Sequence, residues 1–294
     1  MASDPLIGHS LGVYQVLERI GHGGMGLVYK GYDQALNRYV AIKLLPQALE
    51  TDPTLTQRFQ REAKAAAGLD HPNIVGVYYF GHQGDVHYLV MKYIEGTDLR
   101  AEIDRRRRTG PPFTSEEILN ILGQVAAGLD YAHERGVIHR DVKPGNVLLA
   151  SNGQAVLGDF GLAMLRDRAS QITLGHSFGT PEYIAPEQAI DSRGAVPQSD
   201  IYSLGGILYE MVTDHLPFEA ESSISLALKH ISEDPTPPRR YVPDLPTAVE
   251  AAILRALAKE PGERFATARA MIEALRQAWH ETPSAGVLAV PATP

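Results

Sequence analysis

His139-Arg140-Asp141-Val142-Lys143-Pro144-Gly145-Asn146 is the stretch on which the reading of this chain turns. Its eight residues hold a carboxylate, an ammonium and a carboxamide, while Pro144 and Gly145 deny the segment a helix. A loop of this kind can aim three unlike polar groups at one spot. Asp141 can accept a proton, Lys143 can hold an anion, and Asn146 offers a neutral oxygen suited to a hard cation. Moving a phosphoryl group onto a hydroxyl calls for all three. A charged surface turn could carry the same residues, so the surroundings decide.

Immediately upstream, Thr114 and Glu117 make a capping box, and Ile118, Ile121, Leu122, Val125 and Leu129 recur on one helical face until Gly136. That helix delivers the chain into the loop. Immediately downstream, Val147-Leu148-Leu149 and Ala155-Val156-Leu157 flank Ser151-Asn152-Gly153 and read as a hairpin. It runs out at Asp159-Phe160-Gly161, which sets a second carboxylate beside the first loop. Asn146 and Asp159 together suit magnesium, a cation that keeps few protein oxygens and fills its shell with water and phosphate.

Farther out, residues 11–46 read as strands around Gly21-His22-Gly23-Gly24-Met25-Gly26. A dinucleotide-binding turn with these glycines should open a helix. Here a strand follows, and the glycines suit a lid whose backbone N–H groups face phosphates. Lys43 ends the run Val40-Ala41-Ile42-Lys43, where an ammonium is costly without a partner. The next helix, capped by Thr54, carries Leu55, Phe59, Glu62 and Ala66 on one face, and Glu62 is the expected partner. Ile74–Phe80 and Val86–Met91 are two more strand-like runs. Lys92-Tyr93-Ile94-Glu95-Gly96-Thr97 then breaks the pattern, with strands before it and helices after it. Arg105-Arg106-Arg107-Arg108 reads as a solvated helix end, or else as a dock for an acidic partner. Helices are expected over 222–232, 246–258 and 267–280, and the helix that begins at Asp200 is too apolar all round for a surface.

Composition narrows the class. With 294 residues, 44% hydrophobic and 21% charged, the chain is ordinary for a globular protein. A net charge of -8 argues against nucleic-acid or anionic-membrane partners. There is no cysteine, hence no disulfide or thiolate metal site, which fits a reducing, cytoplasmic compartment. No apolar run approaches the roughly 20 residues of a membrane span, and Met1–Pro5 has no signal-peptide pattern. Residues 283–294, rich in Ala, Pro and Val, read as a linker or loose end.

Gly21–Gly26, Val40–Lys43, Glu62, His139–Asn146, Asp159–Gly161 and Ala185-Pro186-Glu187 occur in an order that resembles the protein-kinase signature set. In detail the chain resembles a bacterial serine/threonine protein kinase of the eukaryotic-like (Hanks) type, over roughly residues 11–280. The resemblance implies an α+β, bilobal fold: a β-rich N-lobe with one main helix over 11–91, a hinge at 92–97, a helical C-lobe over 98–280, and a tail over 281–294. It implies ATP with magnesium, or manganese, and protein Ser/Thr substrates. By position, Asp141 resembles the catalytic base and Lys143 the γ-phosphate contact. Asn146 and Asp159 resemble the metal ligands, and Lys43 with Glu62 the activating pair. Ile20, Gly21, Gly23, Gly24, Gly26, Val28, Ala41, Met91, Lys92, Ile94, Asp98 and Leu148 match nucleotide-binding positions, Asp98 within reach of a ribose hydroxyl.

Thr180 resembles the threonine that contacts the catalytic loop. Residues 162–184 resemble an activation segment with Thr173, then Ser177 and Ser170, as phosphorylation candidates that Arg140 could bind. Asp200 resembles the residue that bonds the catalytic-loop backbone, and Arg264 the partner of Glu187. Dimerisation through the N-lobe and autophosphorylation in trans are implied in the same way. Two departures stand out: Lys92 where glutamate is common, and small Ala66 where a larger apolar residue often stacks. The rival readings are a pseudokinase scaffold, which should have lost Lys43, Asp141, Asn146 or Asp159, and a small-molecule phosphotransferase, which usually lacks Ala185-Pro186-Glu187.

Overall fold

Alternating burial along short, β-branched and aromatic runs builds the N-terminal part of the molecule. The structure, a computed structural model, describes residues 4–23, 26–45, 63–84, 86–160 and 181–280. Strands β1 (Ser10–Leu11), β2 (Tyr14–Gly23), β3 (Gly26–Asp33), β4 (Arg38–Leu44), β5 (Val77–Gln83) and β6 (Val86–Lys92) form one antiparallel sheet in the order β1-β2-β3-β4-β6-β5. Leu11, Tyr14, Val16, Tyr29, Val40, Ile42, Tyr88 and Val90 close its core. Gly26 cannot be replaced at the glycine turn: its φ is +122°, and a Cβ would lie 2.3 Å from the Leu44 carbonyl oxygen. Strand β5 starts at Val77, later than Ile74, because the Ile74 N–H closes a turn onto the His71 carbonyl after Pro72. The helix expected from Thr54 lies largely outside the described residues, Glu62 included; residues 63–67 are helical, with Ala66 buried.

The chain divides into two compact units at Glu95 and Gly96. In the second, β7 (Gly96–Asp98) pairs with β8 (Val147–Ala150), which pairs with β9 (Ala155–Leu157). The rest is helical: α1 (Leu99–Thr109), α2 (Ser115–His133), α3 (Pro186–Ile190), α4 (Pro197–Thr213), α5 (Ser223–Ser232), α6 (Thr247–Ala256) and α7 (Ala268–His280). Every residue of α4 from Ser199 to Thr213 is buried, so it forms the axis of this unit. Helices α2 and α7 pack together, and Asp130 on α2 accepts from the Ala268 and Arg269 N–H groups at 2.8 and 2.9 Å. A carboxylate there satisfies two donors that the start of α7 would otherwise leave unpaired. The architecture is α+β, a β-rich N-terminal lobe and a helical C-terminal lobe.

Thr114 and Glu117 cap α2 reciprocally, the Glu117 N–H to Thr114 Oγ1 at 3.2 Å and the Thr114 N–H to Glu117 Oε2 at 2.8 Å. Thr114→Ala is expected to cost about 1 kcal/mol, read as a lower urea midpoint at unchanged m-value. An unchanged midpoint would show the box to be redundant.

The arginine block is a largely solvent-facing helix end, with Arg105, Arg107 and Arg108 exposed, but it is internally paired and no free dock. Arg106 bonds Glu102 at 2.7 Å and Glu117 at 2.7 and 3.0 Å, its guanidinium lying 4.0 Å from the centre of the Phe113 ring. Arg107 bonds Asp214 at 2.9 Å and Glu210 at 3.2 Å, and Arg105 bonds Glu102. The Arg106 hydrogen bonds hold the Glu117 carboxyl down to about 2. Three of the four charges are answered from the chain's own surface.

Candidate active site

The loop after α2 is set by one buried carboxylate. Asp200, on α4, accepts from the main-chain N–H groups of His139 and Arg140 at 2.8 Å each, and from His133 Nε2 at 2.7 Å. Two N–H groups on consecutive residues aimed at one carboxylate fix the local backbone. The turn this forces takes Arg140 into the left-handed region, φ +68°. Such a conformation costs a non-glycine residue free energy and persists only where the surroundings hold it.

His139 locks the loop to the strand that follows. It is fully buried, its Nε2 lies 2.7 Å from the Gly158 carbonyl oxygen, and the Asp141 N–H meets its Nδ1 at 3.2 Å. A carbonyl only accepts, so the ring proton must sit on Nε2 and Nδ1 must accept. The Phe160 ring packs edge-on against the imidazole at 4.5 Å between centres. Together these contacts bring Asp159, also left-handed at φ +62°, next to the loop.

Three of the expected groups converge. Lys143 Nζ lies 2.7 Å from Asp141 Oδ2. Asn146 Nδ2 donates to the Asp141 carbonyl at 2.7 Å and to Asp141 Oδ2 at 3.1 Å. Because the carbonyl cannot donate, the carboxamide is not reversible end for end, and its oxygen is the end left for a cation. The short 3-10 turn Pro144–Asn146 puts Asn146 back against Asp141, and the Gly158 N–H bonds the Asn146 carbonyl at 2.8 Å. Asn146 and Asp159 are thereby tied within one backbone contact of each other. The pair is a hard-oxygen donor set of the sort magnesium accepts.

Arg140 keeps its Nε buried with no hydrogen-bond partner among the described residues, while its carbonyl accepts from Gln188 at 3.1 Å. Thr180, Ser170, Thr173 and Ser177 lie outside the described residues. Glu187 is gripped by Arg264, Nη1 to Oε1 at 2.7 Å and Nη2 to Oε2 at 2.8 Å, and accepts from Ser199 at 2.6 Å.

In the N-terminal unit, Lys43 is 3% exposed and sits between Val28 and Leu89 in register. Ala41 and Met91 are directly paired, and both are buried. Ile20 is half exposed, and Gly24 lies outside the described residues. The Lys92 N–H is spent on the Gly76 carbonyl at 2.8 Å, so a base can use only the Lys92 carbonyl and the segment 93–95 beyond it. In the C-terminal unit, Leu148 pairs with Asp98, and Asp98 caps α1, Oδ1 taking the Ala101 N–H at 2.9 Å.

One cluster was not anticipated. Glu210, buried in α4, receives Arg100 at 2.7 and 2.8 Å and the Tyr183 hydroxyl at 2.5 Å; Arg100 also bonds the Tyr183 hydroxyl. It fastens the residues just after 180 to α1 and α4. Burial and the Glu210 carboxylate push the Tyr183 phenol well above its ordinary value. Its partners are up to 110 residues apart, and no local pattern announces them.

Comparison with known proteins agrees with this geometry. Residues 14–279 match the protein kinase domain family. The chain is 41% identical over 272 residues to the serine/threonine-protein kinase PrkC of Bacillus subtilis, covering 90% of this chain and 40% of that protein. It is 39% identical over 268 residues to the serine/threonine-protein kinase PknB of Mycolicibacterium smegmatis, covering 88% and 41%. The crystal structure of the Mycobacterium tuberculosis PknI kinase domain superposes with a TM-score of 0.73 at 29% identity, covering 92% of this chain and 98% of that one. The chain spans about two fifths of the length of the curated relatives it matches. By fold, by loop and by sequence, the chain belongs to the protein kinase family, among the Hanks-type serine/threonine kinases of bacteria.

Proposed function

We propose that this chain transfers the γ-phosphoryl group of ATP to serine and threonine hydroxyls of proteins, residues of its own segment 162–184 included. The observation that carries this is the Asp141–Lys143–Asn146 cluster, held by Asp200 through the loop backbone. Asp141 orients the alcohol and takes its proton as the new bond forms. Lys143, fixed beside it, faces the charge of the transferring group. Asn146 and Asp159 would hold a divalent cation, magnesium with manganese as the alternative, which supplies positive charge against the phosphate oxygens. Lys43, with Glu62 as its proposed partner, would hold the α- and β-phosphates, and the glycines of 21–26 would cover them. Ile20, Val28, Ala41, Met91, Leu148 and the segment Lys92–Ile94 are assigned to the base, and Asp98 to the ribose.

Lys143 two residues after Asp141, with Thr180 in the run Gly179-Thr180-Pro181-Glu182, supports an alcohol and not a phenol as acceptor. Arg140, whose buried Nε has no partner among the described residues, suits a phosphate on Thr173, Ser177 or Ser170. Trans-phosphorylation through an N-lobe dimer, in the cytoplasm where ATP is supplied, completes the proposal.

The test is incubation with γ-labelled ATP, magnesium and an unstructured protein rich in Ser and Thr. Label should appear as phosphoserine and phosphothreonine in both kinase and acceptor. A folded, nucleotide-binding preparation that transfers none would mark a scaffold; label only on small alcohols would mark a small-molecule phosphotransferase.

A further inference from the structure

The register of the N-terminal sheet sorts one face into rows. Val28 pairs with Lys43, and Lys43 with Leu89; Lys30 pairs with Ala41, and Ala41 with Met91; Tyr32 pairs with Tyr39. Cross-strand partners share a face, so Lys30 stands in the row of Ala41 and Met91, next to the row of Lys43. A lysine there should reach for water. Instead its side chain is 22% exposed, and its ammonium lies 4.6 Å from the centre of the Tyr39 ring and 4.8 Å from that of Tyr93. Tyr39 in turn meets Tyr93 edge-on at 6.3 Å, and Tyr32 at 5.3 Å. Glu18, 3.7 Å from the same ammonium, is 62% exposed, so water screens that ion pair and leaves the rings as the stronger hold.

Tyr93 is the first residue after β6, at the start of 93–95, where no strand or helix fixes the backbone. On its upstream side the chain is pinned by the Lys92 N–H on Gly76. On its downstream side the grip on the Tyr93 ring is the restraint the sheet provides. We propose that Lys30 is a positioning residue for the nucleotide base: its ammonium, held between Tyr39 and Tyr93, presets the backbone of Lys92–Ile94 to receive adenine. This rests on the kinase reading of that segment. Lys30 itself touches no part of the nucleotide.

Titration of the full chain with adenosine and, separately, with ATP tests it. Lys30→Met keeps the stem and removes the charge, and should weaken both ligands by the same factor, about three- to tenfold. KM for ATP should rise in step, with kcat little changed. Lys30→Arg should restore most of the loss, since a guanidinium also stacks on tyrosine. Tyr93→Leu should match Lys30→Met, and the double variant should be no worse than either single one. Weaker ATP with unchanged adenosine would place Lys30 at the phosphates and overturn the inference, as would unchanged binding of both. A wild-type chain that binds neither ligand would remove the kinase reading and the clamp with it.

Discussion

Asp141→Asn is expected to lower kcat by about 10²–10⁴-fold, with nucleotide affinity and melting temperature close to wild type. The substitution keeps shape and removes only the charge and basicity of one side chain. An asparagine oxygen at the Oδ2 position can still accept from Lys143 Nζ and Asn146 Nδ2, the two donors that now meet there at 2.7 and 3.1 Å. The backbone of the loop depends on Asp200, not on the Asp141 side chain, so it should not move. What is lost is the group that receives the hydroxyl proton in the transition state, which lowers kcat without touching ground-state binding. Lys143→Ala in the Asp141→Asn background should add far less than it costs alone, because the two act as a unit. Steady-state kinetics with a protein acceptor, beside a nucleotide titration, reads both quantities. A variant that retains activity within about tenfold of wild type would take Asp141 out of the proton-accepting role.

How much of this was legible depends on the distance over which each feature is encoded. The Thr114 capping box, the hairpin around Asn152-Gly153 and the paired strands flanking the glycines of 21–26 are all written within a dozen residues, and the structure holds each of them. The loop 139–146 could be singled out because its polar groups are close in sequence. Its geometry could not, since it depends on Asp200, some sixty residues on. The resemblance to kinases, not spacing, supplied that partner, as it supplied Arg264 for Glu187. The solvent-facing helix end at Arg105–Arg108 was legible, but its ion pairs were not, for the same reason: Glu210 and Asp214, which answer Arg107, are over a hundred residues away. Lys30 left no signal either. A lysine in a strand with alternating burial reads as an ordinary outward residue, and only the sheet register brings it to Tyr39 and Tyr93. Lys43 with Glu62, and the sites on 170–180, lie partly or wholly outside the described residues and stand as proposals.

Arg264→Met should destabilise the C-terminal unit by roughly 3–5 kcal/mol, enough to lower the melting temperature by about 10 °C or more. The Arg264 side chain has no exposed surface, and its five N–H donors make five bonds. Nε meets the Ala258 carbonyl at 2.8 Å, Nη1 meets Glu187 and the Gln198 carbonyl, and Nη2 meets Glu187 and the Lys259 carbonyl. Methionine fills much of the volume but strands a carboxylate and three carbonyls in a site that was fully satisfied. Lysine should not rescue, because a single ammonium cannot span the fork. Burial alone would raise the Glu187 carboxyl; the hydrogen bonds from Arg264 and Ser199 outweigh it and hold it below its ordinary 4.5. In wild type this carboxyl therefore adds stability above that value, which is lost as pH falls through the folded-state value. Without Arg264, burial prevails and the sign reverses: the stranded charge costs most at neutral pH and is relieved by protonation. The gap between variant and wild type should thus narrow from pH 7 toward pH 4, and Glu187→Gln added to Arg264→Met should recover part of the loss at pH 7. Urea titrations of the two proteins across that range decide it. A gap that stays constant with pH would mean that the guanidinium acts through packing and the three carbonyls, with the carboxylate a bystander.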